Sequence, residues 1–385
     1  MDRINIIIKT TNNCNLRCKY CYNGDSQFSK EYLKLESVRR LFKILSADFR
    51  EISVVWHGGE PLSCGIDYFR KVVEIQEELS DNQGNKVVFT NSVQTNGTLI
   101  DEEWIEFFKK HKFKVGISFD GINNDAYRQM TEKVLASMRL MKSKGMGVSC
   151  LAVVADDDYD IVGNYKYFAS MGVPVEFSYM FMEGGAKELA PLSADSFIKK
   201  YKELADYWFT DKNGVGVRLI ETYVAMSLGN YFRICNHASC HGKYLSVWPD
   251  GKIYNCARYS MSKYPFGDID SIESYSDIFE SEGFKELLKG SIERRSKCKE
   301  ECEYFAECAG GCADCAISEG SLDAPPKFSC YVFKNIYPYI RQKVQEFRAC
   351  NVPLSEINPA FGKTVMRCMA VSDNKPENEV ADKFI

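Results

Sequence analysis

The stretch T-N-N-C-N-L-R-C-K-Y-C-Y-N, residues 11–23, carries the strongest signal in the chain. Its cysteines, Cys14, Cys18 and Cys21, have the spacing C-x3-C-x2-C. Three thiolates on one short loop can hold three corners of a [4Fe–4S] cube, a cluster that otherwise takes four cysteines. No fourth cysteine stands nearby. The fourth iron is therefore expected to be open to another ligand, which makes a reactive centre rather than an electron carrier. A zinc loop short of one ligand is the alternative.

The loop follows a β-branched run at 4–10, and the same order of strand, then loop, then helix recurs downstream. Residues 31–47 place Leu35, Val38, Leu41, Phe42 and Leu45 at helical spacing. Further strands are expected at 52–56, 86–93, 113–119, 147–154 and 174–181, with helices near 66–80, 101–111, 129–144 and 160–171. Strands alternating with helical crossovers imply a parallel α/β sheet. Six units cannot close an eight-stranded barrel, so the expected fold is a partial (β/α)6 TIM-type barrel, open on one side. Its functional loops should follow the strands. The cysteine loop follows strand one, and Gly58-Gly59-Glu60-Pro61 follows strand two. Gln94-Thr95-Asn96-Gly97 follows strand three, and Ser118-Phe119-Asp120-Gly121 ends strand four.

The 385 residues suffice for two or three domains. We divide them into a barrel at 1–220, a Cys-rich domain at 221–345 and a tail at 346–385. A net charge of −4 and a pI near 5.8 argue against a general nucleic-acid footprint. No apolar run reaches membrane-span length, and the N-terminus lacks a signal-peptide core. The expected setting is cytoplasmic, with neither membrane nor nucleic acid as partner. In a reducing compartment, sixteen cysteines point to metal ligands rather than disulfides.

A second cysteine field comprises Cys235, Cys240, Cys256, Cys298, Cys302, Cys308, Cys312, Cys315 and Cys330. Its dense part reads C-x3-C-x5-C-x3-C-x2-C-x14-C. Two polynuclear sites fit this density better than one. Zinc stays open, because a C-x3-C pair also suits a zinc ribbon.

The first triplet, C-x3-C-x-φ-C with Tyr20 as φ, resembles the signature of radical S-adenosylmethionine (radical SAM) enzymes. The second field, with G-K-I-Y-N-C at 251–256, is similar to the SPASM extension of that family. The resemblance implies that the methionyl group of S-adenosylmethionine chelates the open iron. A 5′-deoxyadenosyl radical then takes hydrogen from substrate, and the protein positions the cofactor. Three [4Fe–4S] clusters are implied: one on Cys14, Cys18 and Cys21, one on Cys235, Cys240, Cys256 and Cys312, and one on Cys298, Cys302, Cys308 and Cys330. The usual dense run starts C-x2-C where this chain has C-x3-C, which bears on Cys298. Cys315 has no assigned role.

The resemblance also implies a cofactor pocket. Gly58, Gly59, Glu60 and Pro61 form its G-G-E-P element, with Glu60 facing the methionyl ammonium. Tyr20 and Asn96 line the pocket, Ser118 faces the ribose, and Val153 packs the adenine. Arg128 pairs with the methionyl carboxylate, a role suited to a guanidinium. Plainer readings are a solvated Arg, an Asp-Gly turn and strand-core valines. For His57 a satisfied structural histidine is expected.

V-Q-T-N-G-T-L-I-D, V-G-I-S-F-D-G and C-A-G-G-C-A-D-C are similar to segments of anaerobic sulfatase maturases. Those maturases place an Asp, the proton acceptor in formylglycine formation, after the cysteine that here is Cys256. This chain has Ala257, and alanine cannot act as a base. The preferred expectation is therefore a peptide maturase that forms an oxidative cross-link, thioether or carbon–carbon, on a ribosomal precursor peptide. Alternatives are formylglycine formation, a radical dehydrogenase or transformase of a small molecule, and a non-catalytic iron–sulfur or zinc protein. Tyr259, Asp250 and Asp120 are the candidate proton acceptors. A flavodoxin or ferredoxin is the expected reductant. Only 13 residues precede Cys14, so an N-terminal leader-binding domain is not expected.

Overall fold

The computed structural model describes residues 3–24, 31–81, 87–230, 237, 240–350 and 356–371. Among these, six strands alternate with helices: β1 (Arg3–Thr11), β2 (Glu51–Gly58), β3 (Val88–Thr95), β4 (Lys114–Ser118), β5 (Ser149–Val154) and β6 (Val175–Tyr179). All pair in parallel, in sequence order. The alternation of β1 sends Ile4, Ile6 and Ile8 into the core. Helix Leu35–Asp48 buries Val38, Leu41, Phe42 and Leu45 against it, the stripe expected from sequence. Asp101 and Asp160 cap the helices after β3 and β5, accepting from Trp104 N and Gly163 N. Loops thus leave the C-terminal ends of all six strands on one rim.

The sheet then continues with residues from the Cys-rich domain. Strand β7 (Tyr244–Val247) pairs in parallel with β1, and β8 (Lys252–Tyr254) and β9 (Gly267–Asp268) extend it antiparallel. The order β6-β5-β4-β3-β2-β1-β7-β8-β9 is a partial barrel that does not close. It also carries the β7–β8 turn, with Trp248, onto the same rim as the first cysteine loop. Within the segment separated as a tail, helix Pro359–Val371 is packed: Phe361 lies 5.1 Å from Phe209 and 6.3 Å from Trp208, ring to ring. Among the described residues, no helix is long and apolar enough to cross a membrane.

Candidate active site

The first cysteine loop is fixed through the loop after β2. Gly59 N donates to Thr11 O at 2.7 Å and Glu60 N to Asn13 O at 2.8 Å. Gly58 has φ +137°, and a Cβ there would fall 2.1 Å from Thr11 O. Two backbones therefore touch where only glycine fits. The Glu60 carboxylate is fully buried and accepts from Leu62 N, Thr95 Oγ1 and Asn96 N at 3.0, 2.7 and 2.8 Å. Sequence reading set it facing the methionyl ammonium; in the fold both oxygens accept from these donors, and the carboxylate ties the loops after β2 and β3 together. Burial pushes it up to about 7 all the same. Asn96 reaches the cysteine loop directly, 2.8 Å to Asn15 Oδ1 and 3.8 Å to Cys14 Sγ.

Beside Cys18 stands a second hub. Asp120, buried at the end of β4, accepts from Arg128 Nε at 3.1 Å, Val153 N at 3.0 Å and the Tyr20 hydroxyl. The Arg128 guanidinium covers the Tyr20 ring at 5.2 Å and reaches within 3.9 Å of Cys18 Sγ. Asp120, a candidate proton acceptor from sequence, has both carboxylate oxygens engaged by these donors. Ser118 Oγ accepts from Gln94 Nε2 at 2.9 Å. Tyr20, Val153 and Met180 form an apolar wall next to Cys18.

The floor between the two cysteine fields holds a buried cation that sequence reading missed. Lys9, at the end of β1 and in register with His57, is 1% exposed. Its Nζ donates to Asn23 Oδ1 at 3.0 Å and lies 4.0 Å over the Trp248 ring. Burial lowers it to about 8, against the opposing charges of Cys256, Cys21, Glu183 and Asp250. His57 is a satisfied histidine: its Nδ1 accepts from Gly58 N at 2.8 Å, and burial drops it to about 4.

Across the floor, Cys298, Cys302, Cys308 and Cys330 line one cavity of about 80 Å³, together with Cys312 and Cys315. Burial pushes Cys308 up to about 12, and Cys330, Cys298 and Cys302 add to it. Such thiols become thiolates only beside a cation, as metal ligands do. Cys256 and Cys312 sense each other, and Asn255 Nδ2 donates to Cys240 Sγ at 3.0 Å. Cys235 lies outside the described residues. Among the described residues, only Cys312, Asp314 and Cys315 bring ligand atoms within 4.8 Å of one another. Sulfurs around one zinc, with Zn–S about 2.3 Å, sit roughly 4 Å apart. The first triplet and the Cys298–Cys330 set do not draw together that closely, which leaves room for a larger core. The donor sets therefore fit iron–sulfur clusters. Cys315 is the partner of Cys312, whose thiol it pulls down to about 7 by a hydrogen bond.

Ala257 is buried where the cysteine field meets the barrel. The next residue, Arg258, donates to Asp314 Oδ2 at 2.9 Å and stacks on Phe181 at 3.3 Å. Ser260 holds the other Asp314 oxygen. Asp250 sits in the β7–β8 turn, accepting from Lys252 N, and exposed Tyr259 stacks on Trp248 at 6.3 Å. Glu183, after β6, is 6% exposed and close to this floor. A lone Glu in M-F-M-E-G-G gave little signal beyond its place after a barrel strand.

A cysteine loop on the rim of a partial barrel and a thiol-lined domain facing it recur in known iron–sulfur proteins. The radical SAM superfamily model matches residues 8–160, and the model of the iron–sulfur cluster-binding SPASM domain matches residues 235–315. The chain is similar to the cysteine-type anaerobic sulfatase-maturating enzyme of Clostridium perfringens (strain 13 / Type A), 29% identical over 88% of this chain and 96% of that one. The serine-type enzyme of Klebsiella aerogenes is 28% identical over 78% of this chain and 76% of its own. A solved structure, native anSMEcpe with bound AdoMet and Kp18Cys peptide, superposes with a TM-score of 0.77 at 28% identity, covering 91% of this chain and all of that chain.

Proposed function

We propose that this enzyme oxidises a cysteine or serine side chain within a peptide segment of a protein, as a sulfatase maturase does. The likeness carrying this reading runs along nearly the whole of a curated maturase and of a solved one that binds a peptide. Cys14, Cys18 and Cys21 hold the cluster that, with S-adenosylmethionine, supplies the hydrogen-abstracting radical. Arg128 sets a positive charge beside Cys18 for the methionyl carboxylate, and Tyr20 and Val153 wall the nucleoside. Gly58, Gly59, Glu60 and Pro61, with Asn96, fix the loop geometry. Cys235, Cys240, Cys256 and Cys312 hold a second cluster, and Cys298, Cys302, Cys308 and Cys330 a third. Lys9, buried between the first and second sets, stabilises negative charge on both. A flavodoxin- or ferredoxin-type protein supplies the electron.

Ala257 favours a second reading, the oxidative cross-linking of a peptide, because the expected base is missing. Anaerobic incubation with the Kp18Cys peptide, S-adenosylmethionine and dithionite separates the two. Formylglycine formation gives a peptide that takes a carbonyl-specific label. A peptide that loses two hydrogens and takes no label sinks the maturase reading in favour of the cross-link. An unchanged peptide beside active cofactor cleavage sinks the maturase reading as well.

A further inference from the structure

If the chain is a maturase, the proton that an Asp after Cys256 would accept must go elsewhere. We propose that Glu183 is the proton acceptor; this rests on the maturase reading above. Four carboxylates near the floor are eliminated by their partners or place. Asp120 and Glu60 have both oxygens held by donors, and Asp314 is locked between Arg258 and Ser260. Asp250 is 42% exposed and paired with Lys252 at 3.8 Å.

Glu183 differs on three counts. Its Oε1 accepts from Ser318 Oγ at 2.6 Å, a residue of the Cys-rich domain, so the side chain spans the two halves. Its Oε2 is buried and has no hydrogen-bond partner among the described residues. A buried oxygen left open costs roughly 1–3 kcal/mol, and native proteins satisfy nearly all such atoms. Finally, the loop cannot drift from the cofactor. Gly185 N donates to Cys21 O at 2.9 Å, and a Cβ on Gly184, at φ +53°, would fall 2.4 Å from that same oxygen. Lys9 and Tyr22 both feel the Glu183 charge, which places the carboxylate at the floor rather than behind it. Glu183 comes from the loop after β6, whereas position 257 belongs to the Cys-rich domain, whose next residue, Arg258, stacks on Phe181 two positions before Glu183. The base is thus supplied by the barrel rather than by the Cys-rich domain.

Atoms and electrons balance through the step. With the cofactor and clusters bound, the substrate cysteine would lose a Cβ hydrogen atom to the cofactor-derived radical and one electron to a cluster as acceptor. The S–H bond breaks, its proton moves to Glu183 Oε2, and its electrons form the C=S bond. Water then replaces sulfur, giving the aldehyde and hydrogen sulfide.

The test uses the anaerobically loaded full chain, the Kp18Cys peptide, and the variants Glu183→Gln and Glu183→Asp. For Glu183→Gln we expect unchanged iron content, peptide affinity by fluorescence anisotropy within about twofold of wild type, and continued 5′-deoxyadenosine release. Labelled carbonyl should fall by about 10²–10⁴-fold, the range for a missing general base. Glu183→Asp, which keeps the carboxylate, should recover part of it. Wild-type carbonyl yield from Glu183→Gln overturns the base assignment alone. Loss of peptide affinity makes Glu183 a recognition residue and overturns it too. Loss of iron in both variants makes its role structural and overturns it as well. A wild-type protein that forms no carbonyl removes the maturase reading, and the assignment falls with it.

Discussion

The barrel rim and the Cys-rich wall facing it are built on opposite terms. After β2 and β4 on the rim, Glu60 and Asp120 each take three donors, and the loops they tie cannot move independently. In and after β6 the protein leaves buried atoms open, among them Glu176 Oε2, Glu183 Oε2, Trp248 Nε1, Asn255 Oδ1, Glu307 Oε2 and Ser329 Oγ. Low dielectric makes satisfied networks rigid and open atoms costly. The loops after β2 to β4 are therefore fixed in advance, and the atoms from β6 onward, Glu183 Oε2 on the rim among them, keep bonding capacity. Preorganised cofactor sites and adaptable substrate surfaces divide the work of many cofactor enzymes this way.

The largest effect on that contrast should come from removing the rim's cluster. Cys14, Cys18 and Cys21 changed together to Ala should abolish 5′-deoxyadenosine formation and lower iron by about four per chain. The Cys-rich wall should keep its iron. Loss of all iron on elemental analysis would show that the two halves are not separate.

Next in size is Arg128→Ala. Its guanidinium stands 3.9 Å from Cys18 Sγ and is oriented by Asp120. A charge-assisted contact is worth roughly 1.5–3 kcal/mol, so affinity for S-adenosylmethionine in isothermal titration should fall at least about tenfold. Wild-type affinity would leave Arg128 as scaffold only.

The smallest effect belongs to His57. It stays neutral in the fold down to about 4, while unfolded chains protonate it near 6.5. The unfolded state thus binds more protons in that window. The stability it contributes is complete above pH 6.5 and is lost as pH falls towards 4. Between pH 6.5 and 5 the loss is about 2 kcal/mol from this group, at 1.36 kcal/mol per pKa unit. Urea titrations of His57→Gln should show a flatter pH dependence there. An unchanged slope would place the acid sensitivity elsewhere, with His241, also driven to about 4 by burial, as the next group to change.

The rim was readable from sequence because each part has a local signature. β-branched runs marked β1 to β6, cysteines and glycines marked the loops, and strand order put them at one end. Partnership was not readable. Glu60 and Asp120 have the right chemical type for a ligand contact and a base, yet their donors come from residues 2 to 36 and up to 100 positions away. Strand β7 was invisible for a related reason: four residues, Y-L-S-V, become a strand only because β1 offers its free edge. Lys9 was hidden inside a β-branched run, and Glu183 before a pair of glycines. Both acquire meaning only when β7 brings Trp248 to the rim and the Cys-rich domain packs beside them.

Whether this enzyme oxidises a peptide side chain can be decided by following one hydrogen. Kp18Cys peptide deuterated at the cysteine Cβ is incubated anaerobically with the loaded enzyme, and the released 5′-deoxyadenosine is weighed by mass spectrometry. We expect one deuterium in the nucleoside and a carbonyl on the peptide. Nucleoside released without deuterium, beside an intact peptide, would contradict the maturase reading.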